Sequence, residues 1–478
     1  MKHALVVLLL LAIPAAAQPA AAPADKTTAH TLHLTAGPLD FAAEVATMRL
    51  ANPAGATQAE IVTTVFTLKA ADPARRPVMF AINGGPGASS AWLNLGAIGP
   101  WRVPFGDPII PSRAPVPLEN ADTWLDFADL VFIDPPATGY SRIVGDRAAF
   151  LSVDGDIDTL AVVIRRWLET HNRLQSPKFI VGESYGGFRG PKLARKLLDR
   201  QGVGISGLVL ISPVLDFNDR DAPWNPLRAV AALPSMAAAH RGAQSRAELA
   251  DVEAYATGEF LGDLLRGEAD PAAVDRLVTH VTELTGLDPA LVRRRAGRIG
   301  MSTFLRDRQP GRVFSPYDAT LGIADPFPAA ANDNSPDPLL DGMRGPITSA
   351  MLFIYRNWLE WQPEGAPARQ YELLNNQIAH DWDYGRRMAR PESYTDLRQY
   401  LALDPTTRVA VAHGLTDLVT PYFASELLLR QTPHFEAAPQ LALLTYGGGH
   451  MFYSRDDSRA SLHADAAALV ASALAARP

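Results

Sequence analysis

The sequence predicts an α/β protein with a central, mostly parallel sheet covered by helices, and two observations carry that prediction. Short, wholly apolar runs end in glycine- or acid-rich turns, and helical patterns fall between several of them. Uninterrupted apolar strands are what a sheet buried on both faces requires. Alternation of strand with helix points to parallel strands joined by crossovers.

The elements follow in order. After Lys2 and His3, residues 4–13 form an apolar run that closes on Pro14-Ala15-Ala16-Ala17. The run is shorter than the ~20 apolar residues a spanning helix needs. Residues 1–17 therefore read as a cleaved export signal, with the mature chain starting near Gln18 in a periplasm or in the medium. Residues 18–31, rich in Ala and Pro, read as a leader or linker. From 33 to 68 the chain favours β-structure, most strongly at IVTTVFTL (61–68). Apolar runs at 77–82, 130–133, 178–181, 207–211, 408–412 and 441–445 supply the sheet; patterns at 157–168 and 192–198 supply helices. Residues 32–213 and 407–478 thus make two parts of one core. Between them the strand pattern stops. Asp270-Pro271, apolar positions at helical spacing and Gly286 mark a capped helix, Asp288-Pro289 opens another, and 324–346 reads as a Pro/Asp/Asn-rich loop. Residues 214–406 are expected to form a mostly helical cap over the carboxyl edge of the sheet.

The 478 residues are ample for a large buried core. A formal net charge of -7 argues against nucleic acid or an anionic membrane as the main partner, because both reward clustered Lys and Arg. Later apolar stretches are short and broken by charge, so stable membrane insertion is not expected either. With no cysteine, the chain has no disulfide, thiolate metal site or cysteine nucleophile. No metal or organic cofactor is implied, since no metal-ligand spacing such as H-E-x-x-H occurs.

The chemistry concentrates in a few motifs. GESYGG (182–187) matches the G-x-S-x-G pattern, in which a serine sits on a strained strand-to-helix turn and only small neighbours let the helix pack close. Here it directly follows the apolar run KFIV and precedes a helical segment, the context that separates an elbow from an ordinary glycine turn. Serine needs a base to take its proton, and the base needs an orienting acid. Downstream, Asp417 follows the run at 408–412 and His450 follows the next one, in GGGHM (447–451). Ser184, Asp417 and His450 thus stand in the chain order of the α/β-hydrolase fold, each past a strand end. His413 is the weaker rival base, because nothing acidic follows a later strand to orient it. NGGPGASS (83–90) places a glycine pair after an early strand. Its N–H, with that of Tyr185, can form an oxyanion hole.

These residues resemble the serine carboxypeptidases. The likeness rests on NGGPGASS, ENADTWLDFADLVFIDPPATGYSR (119–142), GESYGG, the Asp417 loop and GGGHM, which occur in the family's order and cover most of the chain outside the insertion. The resemblance implies triad roles for Ser184, Asp417 and His450, and oxyanion-hole roles for the N–H groups of Gly85 and Tyr185. It also implies that Asn83, Gly84 and Glu183 bind the substrate's terminal carboxylate. Ala88 stands where the better-known eukaryotic members carry a disulfide cysteine, and Ile82 where a tryptophan often precedes NGG; the chain looks like a bacterial relative. The resemblance does not extend to the insertion, so side-chain preference does not carry over.

Glu183 has a physical reading of its own. A charged carboxylate beside the nucleophile would disfavour an oxyanion, but a protonated one can donate to a substrate carboxylate. Two carboxyls sharing one proton form a stable pair, because like charges that close cannot both ionise cheaply. The expected partner is a peptide with a free C-terminus, hydrolysed through an acyl-enzyme and favoured by acidic pH. An esterase or acyltransferase could use the same triad, and a non-catalytic binding protein could retain it unused.

Overall fold

The computed structural model describes residues 23–69, 72–105, 109–218, 224–330, 335–363, 370–385, 390–433 and 440–476. The segment expected to be an export signal lies outside the described residues.

Nine strands form the path of one mixed sheet: β1 (Lys26–Leu34), β2 (Gly37–Ala51), β3 (Thr57–Leu68), β4 (Val78–Ile82), β5 (Asp129–Ile133), β6 (Lys178–Glu183), β7 (Gly207–Ile211), β8 (Arg408–Gly414) and β9 (Leu441–Tyr446). Their spatial order is β1-β2-β3-β5-β4-β6-β7-β8-β9, with the short strand Arg142–Ile143 paired to β3 off the path. β1, β2, β3 and β5 pair antiparallel. Every pairing from β5 through β4 to β9 is parallel. β1 begins at Lys26, inside the stretch that reads as linker, because its partner β2 holds it in register from Lys26 to Leu34.

The apolar runs become strands because both of their faces are covered. Alternate residues such as Phe80, Ile180 and Leu210 meet α1 (Val153–Thr170), α2 (Tyr185–Gln201) and α6 (Tyr394–Leu403). The other set, including Ala81, Val181 and Ile211, meets α5 (Leu340–Asn357) and α8 (Asp456–Ala475). This is the α/β-hydrolase architecture that the sequence pattern predicts.

The stretch 214–406 divides. Helices α3 (Pro226–Arg241) and α4 (Pro271–Thr285) share a separate apolar cluster with Phe260, Phe304, Leu415, Leu418 and Phe423, next to α7 (Tyr422–Leu429). α4 has the expected ends: the Asp270 carboxylate accepts from the N–H groups of Ala272 and Ala273, and Gly286 closes it in the left-handed region. α5 and α6 pack on the main sheet instead. Two local expectations fail. A short hairpin, Arg312–Phe314 with Gly322–Ala324, breaks the strand-free reading. The loop expected at 324–346 gives way to α5 at Leu340, since Asp337 caps it by accepting from Leu339 N–H at 2.9 Å and Leu340 N–H at 2.8 Å. Pro346 sits inside that helix, where packing of Met343, Ile347, Met351 and Ile354 offsets the missing donor.

Candidate active site

Ser184 occupies the single residue between β6 and α2 with φ 59° and ψ −119°, a strained conformation for a residue with a side chain. Neighbouring sterics hold it there. A Cβ on Gly182 would collide with the Gly186 carbonyl oxygen, and one on Gly186 with the Ile82 carbonyl oxygen. The Ser184 N–H donates to Ile211 O at 2.9 Å, and its carbonyl accepts from Gly187 N–H at 2.9 Å.

Asp417 and His450 meet as their loops leave β8 and β9. His450 Nδ1 lies 2.7 Å from Asp417 Oδ2, and both side chains are buried. Asp417 accepts further bonds from Val419 N–H (2.8 Å), Thr420 N–H (3.0 Å) and the Thr420 hydroxyl (2.6 Å). Burial pushes the Asp417 carboxyl up. The charge of His450 and these hydrogen bonds outweigh burial and hold it below the usual carboxylate range. The arrangement fixes Nδ1–H toward Asp417 and leaves Nε2 to act as acceptor. His413 is unlike it: buried, bonded to Ser425 Oγ at 2.9 Å, and pushed down to about 4 chiefly by desolvation, so it stays neutral.

One cleft brings Ser184 and His450 together with Asn83, Gly84, Gly85, Glu183 and Tyr185; Asp417 stands behind His450. Tyr185 is the first helical residue, so its N–H has no partner within α2. Gly84 has no room for a side chain: a Cβ there would lie 2.5 Å from Tyr185 N. Gly85, at φ 98°, turns the loop in a region that favours glycine. Apolar parts of the cleft wall come from Trp92, Val214, Phe217, Tyr317, Leu340 and Met451.

Glu183 is buried at the cleft wall. Its Oε2 accepts from Asn83 Nδ2 at 2.7 Å and from the Tyr453 hydroxyl at 2.8 Å. Burial raises its pKa, and the opposing pull of His450, Tyr453 and Asn83 does not cancel the effect. Asn83 is itself fixed: its Oδ1 accepts from Leu93 N–H at 3.0 Å, and its carbonyl accepts from Arg189, which is paired with Asp156 in a fully buried ion pair.

The 83–90 loop has two further anchors. Asp134, at the end of β5, accepts from Ser90 N–H at 2.8 Å, and burial pushes its carboxyl up to about 7 against the pull of backbone N–H groups from Ser90 and Tyr140. Residues 372–375, from the insertion, run beside the loop as a strap. Ser89 N–H donates to Leu373 O, Asn375 N–H donates to Gly87 O, and Glu372 and Gly139 exchange backbone bonds of 2.8 and 2.9 Å. Ala88 faces Leu374 across this bridge. Sequence reasoning misses Tyr453, Thr420, Arg189 and the strap. Only Thr420, a hydroxyl three residues after Asp417, carries a local signal, that of a turn closed by an Asp side chain.

Fold and site geometry together define an α/β-hydrolase fold with a serine at its strand-to-helix elbow. Residues 65–252 match the serine carboxypeptidase family, so over that stretch the chain is similar to it. It is 30% identical over 128 residues to the pheromone-processing carboxypeptidase KEX1 of Pyricularia oryzae, covering 26% of this chain and 19% of that protein. It is 32% identical over 162 residues to serine carboxypeptidase-like 51 of Arabidopsis thaliana, covering 32% of each. The chain therefore spans about a fifth of the length of the first of these curated relatives and a third of the second. The fold matches the crystal structure of Kex1(delta)p, a prohormone-processing carboxypeptidase of Saccharomyces cerevisiae, with a TM-score of 0.59 at 15% identity over 91% of each chain. Among the described residues, no helix is long and apolar enough to cross a membrane.

Proposed function

We propose that the protein is a serine-type carboxypeptidase that removes C-terminal residues from peptides through an acyl-enzyme. The observation that carries this reading is Glu183, buried in one cleft with Ser184 and His450, where burial raises its pKa and favours its protonated form. An esterase has no use for such a group, whereas a free α-carboxylate can share its proton.

Ser184 Oγ attacks the scissile carbonyl while His450 Nε2 takes the hydroxyl proton. The N–H groups of Gly85 and Tyr185 hold the tetrahedral oxyanion. His450 returns the proton to the leaving nitrogen, the C–N bond breaks, and the terminal amino acid departs. Water, deprotonated by the same imidazole, then releases the acyl group and regenerates Ser184. Asn83, Gly84 and Glu183 hold the terminal carboxylate throughout. We further propose that the insertion 214–406, which lends Val214, Phe217, Tyr317, Leu340 and Leu374 to the cleft, acts as a cap over it, and that the chain is exported and cleaved near Gln18. Fluorophosphonate should modify Ser184 alone, and mass spectrometry of a peptide library should show losses from the C-terminus only. Label on another serine, or internal cleavage, would overturn the reading.

A further inference from the structure

The acid and the base of the proposed triad arrive on separate loops, one after β8 and one after β9. A third segment, residues 315–321 of the insertion, lies against both. Leu418 N–H donates to Pro316 O at 3.0 Å, Ala319 N–H to Thr416 O at 3.1 Å, and His450 N–H to Tyr317 O at 2.5 Å. The Tyr317 ring stands edge-on to the His450 imidazole, with centroids 5.3 Å apart. Asp318 is at the centre and only 3% exposed. Its Oδ1 accepts from the Thr416 hydroxyl at 2.7 Å and from the N–H and hydroxyl of Thr320 at 3.0 and 2.7 Å. Its Oδ2 accepts from Arg455 Nη2 at 2.8 Å. Thr416 is the neighbour of Asp417, and Arg455 leaves the loop that carries His450. The glycine run 447–449 makes the fit possible, because a Cβ on Gly449 would lie 2.5 Å from the Asp318 Cα.

A buried carboxylate is costly unless its lone pairs are filled, and these donors come from three segments that must stay in register to fill them. We propose that Asp318 is a positioning residue for the reaction: by joining Thr416 to Arg455 it fixes the separation of the two loops and holds His450 in line with Asp417 and Ser184. The inference rests on the triad reading above. Asp318 touches no substrate, so its effect falls on kcat.

The test compares the full-length wild type with Asp318→Asn and Thr416→Val, using an ester substrate and a fluorophosphonate. Asparagine keeps the volume and one acceptor but loses the charge facing Arg455; valine removes a single hydroxyl. A displacement of catalytic groups by about 1 Å can cost about a hundredfold in rate. The expected result is a fall in kcat and in the labelling rate of Ser184 of about tenfold for Thr416→Val and about ten- to a hundredfold for Asp318→Asn. KM should stay close to wild type. Folded Asp318→Asn with wild-type kcat, or a loss confined to KM, overturns the proposal. If Asp318→Asn does not fold, Thr416→Val decides alone, and wild-type kcat in it has the same force. If wild-type Ser184 resists labelling, the triad reading itself fails and the inference falls with it.

Discussion

The Tyr453 hydroxyl donates to Glu183 Oε2 at 2.8 Å, and Asn83 Nδ2 donates to the same oxygen at 2.7 Å. With both donors on Oε2, Oε1 is the oxygen on which a proton could be shared with a substrate. A carboxyl held this way can donate to an incoming carboxylate while its other oxygen stays anchored.

That anchor can be tested through Tyr453. The hydroxyl favours ionised Glu183, so Tyr453→Phe should raise the Glu183 pKa further. The rise in KM for peptide acids with increasing pH should then begin at a higher pH than in wild type, with kcat on amidated peptides unchanged. An unmoved KM profile would separate Tyr453 from carboxylate recognition.

The same logic applied to Glu183 gives the most discriminating measurement. In wild type, KM for a free-acid peptide should climb as pH rises and the shared proton is lost, leaving two negative charges facing each other. The matched C-terminal amide brings no charge and should lack the climb. Glu183→Gln keeps a donor that cannot titrate, so its KM for the acid should respond less to pH. Parallel wild-type profiles for acid and amide would favour an esterase.

For the orienting acid, both donors at Asp417 Oδ2, the Thr420 hydroxyl and His450 Nδ1, require an acceptor there. In Asp417→Asn, an amide nitrogen placed at that position would force His450 into the other tautomer. The loss in kcat should approach the roughly ten-thousandfold of the worked serine-protease template. Stopped-flow acylation of the folded variant measures it, and turnover near wild type would assign the role to another group.

Asp134 predicts a pH dependence of stability. Its carboxyl is raised in the fold to about 7 from an ordinary 3.8, so the folded state favours the neutral form. The stability this provides is complete at acid pH and declines as pH rises from about 4 to 7, by roughly 4 kcal/mol if the whole shift is expressed. Asp134→Asn mimics the neutral acid and should unfold with wild type in urea at pH 4 but later than wild type at pH 8. Coincident urea curves at pH 8 would contradict the shift.

The central sheet is legible in the sequence because its strands are apolar on both faces; β7 spans the run at 207–211, and β4, β5 and β6 differ from theirs by one or two residues. The elbow is legible because steric crowding leaves glycine no substitute at 182 and 186. Helix α5 is obscured, since Pro346 and the polar run before it imitate a loop, and the capping role of Asp337 emerges only once the helix has a face to bury. The contacts of Pro316, Tyr317 and the strap are invisible for a different reason. They run through backbone carbonyls and N–H groups, which every residue type presents alike.

The strap at 372–375 has one more consequence. It secures the Ala88 loop, where resemblance to the eukaryotic carboxypeptidases would place a cysteine bridge, by reversible hydrogen bonds. With no thiol anywhere in the chain, its maturation asks nothing of an oxidising compartment. The protein should reach the same active form in a reducing cytosol as outside the cell, and dithiothreitol should leave it untouched.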